Sequence, residues 1–348
     1  MKYFDYSATT YVDEDVLKSF LSNINDNDID LSNEKSKIQT ILNTDMDIIY
    51  TSGSTESNNI AIKGIAFKYF NSHKHIITTK LEHSSISEQM FYLEKNGFVI
   101  DYVNLIDGVV DIDHLKSLIC DDTILVSIAS VDSETGVLQP IDEIGKLLRN
   151  YPNVIFHSDM TQSIGKVKID LSNVDMVSFS AHKFYGLKGI GCLLKRSNID
   201  LVPLVYGNRN YNRALIKSLS VALDKAYMDF DKKYEYVLEL NNYLRNKLHA
   251  FSNIIINSNT FSIPHILNIS VSNFKPEVFQ HSLEFYDIYI STKSACSNKN
   301  DYSKSVFALT NDIKRASTSV RISISYLTKL DDINYLIDSI KKVSENND

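Results

Sequence analysis

Lys183 lies in the string Ser180-Ala181-His182-Lys183-Phe184-Tyr185-Gly186, and an Asp-x-x-Gln pair, Asp159 and Gln162, precedes it. A lysine amine condenses with an aldehyde to form a Schiff base. A carboxylate set against a pyridine nitrogen keeps that nitrogen protonated, so that the ring accepts electrons from a carbanion. Together these residues describe how a chain holds pyridoxal 5′-phosphate. Taken singly, each has an ordinary reading: an Asp at a strand end often caps the next helix, and a Lys is usually solvated.

Other residues fit the same chemistry. Thr51-Ser52-Gly53-Ser54-Thr55-Glu56-Ser57 joins an apolar run to a helical pattern, and a helix start rich in Gly, Ser and Thr offers N–H groups and hydroxyls to a phosphate. Ser180 and His182 could add donors to that phosphate. His83 opens a helical stretch, where an imidazole could stack on a pyridine ring and exchange protons near neutral pH. Cys296, in the polar loop Ser291–Asn300, sits beside lysines that favour a nucleophilic thiolate. Cys192 and Cys120 read as inert core thiols. Arg321 is the single cation in Ser319–Ser323 and could grip a carboxylate in bidentate fashion. The remaining candidates His73, His75, His114, His249, His265 and His281 read as surface or structural residues.

The elements that must position these groups follow from periodicity. Short β-branched runs, Ile48–Tyr50, His75–Thr79, Val99–Val103, Ile124–Ile128, Val154–Ser158, Val174–Phe179 and Gly191–Leu194, read as strands. Helical patterns such as Ser57–Phe70, Ser84–Asn96 and Ile141–Asn150 separate several of them. Such alternation predicts an α/β fold with a mainly parallel, seven-stranded sheet covered on both faces. Ligands of such sheets gather at the carboxyl ends of the strands, where Asp159 and Lys183 would both fall. Beyond a plausible hinge at Val205–Leu219, a long helix at Asp229–Phe251, strands at Ile266–Ser272, Ile288–Ser291 and Val320–Ser325, and a helix at Asp331–Ser344 predict a smaller α+β unit. The expected division is 8–215 for the large unit and 216–348, with 1–7, for the small one.

The 348 residues are 43% hydrophobic and carry a net charge of −7, with the Lys and Arg scattered. That disfavours a nucleic-acid groove as the main function. Three cysteines without close spacing suit a reducing compartment. No apolar run is long enough to span a bilayer, and Met1–Thr10 lacks a signal-peptide core. The expectation is a cytoplasmic protein that contacts no membrane.

In this order the segments Tyr3–Thr10, Thr51–Asn59, Glu82-His83, Glu134–Val137, His157–Gln162, Ser178–Gly191, Ser294-Ala295-Cys296 and Ser319–Ser323 resemble the cysteine desulfurases of class V aminotransferase type. The resemblance implies a homodimer of the pyridoxal-phosphate-dependent fold type I that turns L-cysteine into L-alanine and hands sulfur to an acceptor protein, as in iron–sulfur cluster assembly or tRNA thiolation. It makes Lys183 the Schiff-base lysine, Asp159 the pyridinium partner and Gln162 the contact to the ring oxygen. His83 would stack on the ring, and Ser54, Thr55, Ser180 and His182 would hold the phosphate. Arg321 would clamp the substrate carboxylate, Ser133 would stand at the substrate where the family carries an asparagine, and Cys296 would receive sulfur.

The chain departs from the family pattern in several places. Tyr11–Met46 is short and lacks the usual Gly-Asn-Pro-Ser-Ser-x-His segment, Gly207–Arg213 lacks an Arg-x-Gly-Thr motif, and Lys293 stands for a glycine. These departures leave two other readings: another enzyme of the same fold and cofactor (a selenocysteine lyase, β-lyase or aminotransferase), or a degenerate paralogue with a binding or regulatory role.

Overall fold

The computed structural model describes residues 1–26, 28–207, 211–292 and 302–345. Its main sheet has seven strands, in the spatial order Asp47–Thr51, Gly191–Lys195, Met176–Ser180, Ile155–Asp159, Thr123–Ser127, His75–Thr78, Val99–Tyr102. Gly191–Lys195 runs antiparallel to both its neighbours; the other pairings are parallel. Each of the seven runs expected from the sequence is therefore a strand of one mainly parallel sheet.

Alternation along the strands explains why both faces are covered. Ile77, Val126, Val177 and Leu194 enter one apolar core, while their neighbours Ile76, Leu125, Met176 and Leu193 enter another. Helices Ser54–Lys68 and Ser84–Lys95 supply Ile62, Ile65, Ile86 and Met90 to the second core. Ile141–Leu148 and Arg213–Tyr227 supply Ile144, Leu148, Ile216 and Leu219 to the first. Emptying one of the fully buried rings here, such as Phe156, would cost about 3–5 kcal/mol.

Two helices occupy the stretch 11–46, which has no periodic signal strong enough to predict them. Asp13 caps Glu14–Asn23 by accepting from the Asp15 N–H, and Asp30 caps Leu31–Ile41 by accepting from Ser32 N–H. Val16 and Ile38 are their fully buried anchors, too few to make an apolar stripe.

The smaller unit packs a three-stranded antiparallel sheet, Ile254–Ile256, Ile266–Val271 and Ser319–Ser323, beneath helices Phe230–Leu248, Pro276–Glu284 and Leu330–Glu345. Val237, Leu240, Leu244 and Leu248 all lie in its core. The N-terminal strand Lys2–Tyr3 pairs with Ile288–Tyr289, and Phe4 is buried in the same core. The expected division at 215/216 falls inside helix Arg213–Tyr227, whose apolar face belongs to the large unit's core. We propose the division after that helix instead. No helix among the described residues is long and apolar enough to cross a membrane.

Candidate active site

Asp159 ends the strand Ile155–Asp159, and Lys183 follows the end of the adjacent parallel strand Met176–Ser180. Parallel pairing carries both to the same edge of the sheet. Asp159 is buried and held at both oxygens: Asn58 Nδ2 donates to Oδ2 at 2.7 Å and Thr161 N–H to Oδ1 at 3.0 Å. Lys183 Nζ donates to the carbonyls of Ser7 at 2.6 Å and Ala8 at 2.8 Å. The charges of Asp159 and Lys183 both act on His83, so the three groups share one neighbourhood.

His83 caps the helix Ser84–Lys95 by accepting the Ser85 N–H at Nδ1. That fixes the tautomer, with the proton on Nε2 when the ring is neutral. Burial lowers its pKa against the opposing pull of Asp159, so the ring is neutral at pH 7. Gln162 Nε2 donates to the Ser7 carbonyl, the same oxygen that Lys183 uses. His182 Nδ1 lies 3.2 Å from Thr9 Oγ1, and burial beside the Lys183 ammonium lowers its pKa to about 4.

The turn before helix Ser54–Lys68 is built around Gly53, at φ +156°. Its N-cap residue, Gly53, has no side chain to accept from the first helical N–H groups. Ser54 N–H donates instead to Ser180 Oγ at 2.6 Å, and Glu56 folds back to accept from the Ser52 N–H. Thr55 is exposed beside them. Gly191 on the neighbouring strand gives this turn its room: a Cβ there would stand 2.5 Å from Phe179 O and 2.7 Å from Gly53 Cα. A hollow of about 350 Å³, lined by Tyr50, Thr51, Ser52, Gly189 and Ile190 among others, adjoins the outer side of the turn.

Arg321, from the small unit's strand, is 4% exposed. It donates to Asp5 Oδ1 at 2.8 Å, to the Ser133 carbonyl at 2.9 Å and to Ser291 Oγ at 3.2 Å. Its Nε is buried without a hydrogen-bond partner. Ser133 thus meets Arg321 through its main chain. Cys296 and Lys293 lie outside the described residues.

These groups fit pyridoxal phosphate. The helix start at Gly53, with the Ser54 and Ser180 hydroxyls beside it, suits a phosphate. A carboxylate already held by two donors suits a pyridinium, and the orphaned Arg321 Nε suits a carboxylate-bearing substrate. Several polar residues here escaped the sequence reading: Ser7, Asn58, Ser85 and Lys166. Asn58 and Ser85 occupy helical positions that read as ordinary, and only the fold sets them against Asp159 and His83. Cys120, expected in the core, is exposed, with its Sγ 3.5 Å from His75 Nδ1. The helix Ile112–Leu118 ends before it, and Cys120 lies in the link to the next strand. Cys192 is buried as expected, and burial raises its pKa.

Residues 2–336 match the aminotransferase class-V family model. The chain is 34% identical to the cysteine desulfurase IscS of Dictyoglomus turgidum, over 99% of this chain and 94% of that one. With the IscS of Vibrio vulnificus strain CMCP6 it shares 36% identity over 89% of this chain and 80% of that one. A solved NifS-like protein superimposes with a TM-score of 0.92 at 28% identity, over 99% of this chain and 100% of that one. Another, SspA in complex with cysteine, gives 0.81 at 28%, over 94% and 100%. With the sheet, the lysine and the aspartate arranged as described, the chain belongs to the cysteine desulfurase family of class-V aminotransferases.

Proposed function

We propose that this protein is a pyridoxal-phosphate-dependent cysteine desulfurase that converts L-cysteine to L-alanine and takes the sulfur onto Cys296 as a persulfide. The observation that carries the reading is the convergence of Lys183 and Asp159 at the ends of two adjacent strands, in a chain of this family. When bound, pyridoxal phosphate supplies a ring that accepts electrons from the substrate's α-carbon.

The chain's own residues do the rest. Lys183 would anchor the aldehyde carbon, and its Nζ would move the substrate's α-proton. Asp159, fixed by Asn58 and Thr161, would hold a proton on the ring nitrogen, and His83 would stack on the ring. Ser54, Thr55, Ser180 and His182 would hold the phosphate, and Gln162 would contact the ring oxygen. Arg321 orients the substrate carboxylate next to Ser133. The Cys296 thiolate attacks the substrate sulfur: an S–S bond forms, the C–S bond breaks, and the carbon keeps the electron pair and takes a proton. The protein would act as a cytoplasmic homodimer that passes its persulfide to an acceptor protein.

The test is to incubate purified protein with pyridoxal phosphate and L-cysteine under reducing conditions and to quantify alanine. Alanine is expected from the wild type and not from Lys183→Ala. Equal amounts from the two would end the reading. Cys296→Ser should lose cysteine turnover, whereas an aminotransferase would keep its activity.

A further inference from the structure

Lys166 is 7% exposed, and its Nζ donates to Gln162 Oε1 at 2.6 Å. Burying an amine is costly unless its contacts repay it, and a methionine would fill the same space without that cost. Burial pushes its pKa well below the usual lysine range, and the cations Lys183 and Arg321 push it the same way. His182 and His265 also feel its charge. An amine kept among cations, with a neutral amide as its hydrogen-bond partner, points to a task at that amide.

The task follows from the shape of Gln162. The two ends of a side-chain amide are nearly isosteric, so hydrogen-bond partners decide which way it faces. Lys166 donates to the oxygen end. The Ser7 carbonyl, which can only accept, takes the nitrogen end at 2.9 Å and also receives Lys183 Nζ. A continuous chain therefore runs from Lys166 through Gln162 and Ser7 O to Lys183.

We propose that Lys166 is a positioning residue of the cofactor site: it locks the Gln162 amide with Nε2 towards Lys183, so that an N–H donor and not a carbonyl meets the cofactor's ring oxygen. The proposal rests on the pyridoxal phosphate reading above. Without the lock, the amide can turn its carbonyl towards the negative ring oxygen. Repulsion there favours retention of the neighbouring proton.

The experiment is a pH titration of the visible band of cofactor-loaded wild type, Lys166→Met, Gln162→Ala and the double variant, with cofactor affinity measured alongside. Lys166→Met should raise the midpoint by about one pH unit and weaken cofactor binding. In the Gln162→Ala background the same change should move the midpoint by less than about 0.3 unit, because its route has gone. Lys166→Gln, which keeps an N–H donor, should restore most of the wild-type midpoint. An unmoved midpoint in Lys166→Met, or an equal shift in both backgrounds, overturns the proposal. If Lys166→Met does not fold, Lys166→Leu takes its place with the same expectations. A wild type that shows no band, and no cofactor fixed by borohydride, would instead sink the cofactor reading itself.

Discussion

Asp159 gains its place from Asn58 and Thr161, which hold its two oxygens from different elements. Replacing it with Asn keeps the size and one acceptor but removes the charge that a ring proton requires. Asp159→Asn should therefore still bind pyridoxal phosphate, while alanine formation falls by at least about 100-fold, the scale of a lost proton-holding group. Retained turnover would show that the carboxylate has another role. Lys183, Asp159, Gln162 and His83 were candidates from the sequence because they occur together in one pattern, and the fold brings them into one neighbourhood. Asn58 and Lys166 were not, since an Asn in a helix and a Lys after a turn read as solvated until the fold buries them. Cys120 was misread because a thiol at the end of a helical pattern carries no sign of which way the chain turns next.

The phosphate turn belongs to the scale of elements. Strand Gly191–Lys195 runs antiparallel between the strand that ends at Ser180 and the strand Asp47–Thr51, which leads into the turn at Gly53. The close approach of Gly191 to Gly53 leaves no room for a Cβ between them. A Cβ on Gly53 itself would stand 3.0 Å from Ser180 Oγ, at a φ that other residues rarely adopt. Gly53→Ala should cost about 1–3 kcal/mol of stability and lower pyridoxal phosphate affinity at least about tenfold, read by cofactor titration. Unchanged affinity would argue that the phosphate sits elsewhere. The seven strands were legible because each contains a short β-branched or apolar run set between turns and helical patterns. The helices Glu14–Asn23 and Leu31–Ile41 were not, because each buries one apolar anchor and relies on its Asp cap.

For the whole molecule, buried titratable groups set opposing pH limits. Burial lowers His157 to about 4 and His265 to about 3. Below the ordinary histidine range the unfolded chain takes up protons that the fold refuses, so stability present above pH 6.5 is lost as pH falls towards 4. Glu82, which accepts from Thr79 and the Ala129 N–H, is raised by burial to about 8 from its ordinary 4.5. Its stability is fully present below pH 4.5 and is lost as pH rises through 8. Glu82→Gln mimics the protonated form, so the cofactor-free variant should match the wild type near pH 5 and exceed it by a few kcal/mol at pH 9, on the order of the linkage energy. Identical urea-unfolding curves at both pH values would contradict this. The change in periodicity at the long helix Phe230–Leu248 was legible. The division we propose after helix Arg213–Tyr227 rests on packing, which sets that helix's apolar face in the core of the seven-stranded sheet. All of this serves one covalent anchorage in the assembled protein. Borohydride reduction of the pyridoxal-phosphate-loaded chain, followed by digestion and mass spectrometry, tests it most directly. The account predicts a pyridoxyl adduct on Lys183 that disappears in Lys183→Ala; an adduct confined to another lysine, or none at all, would contradict it.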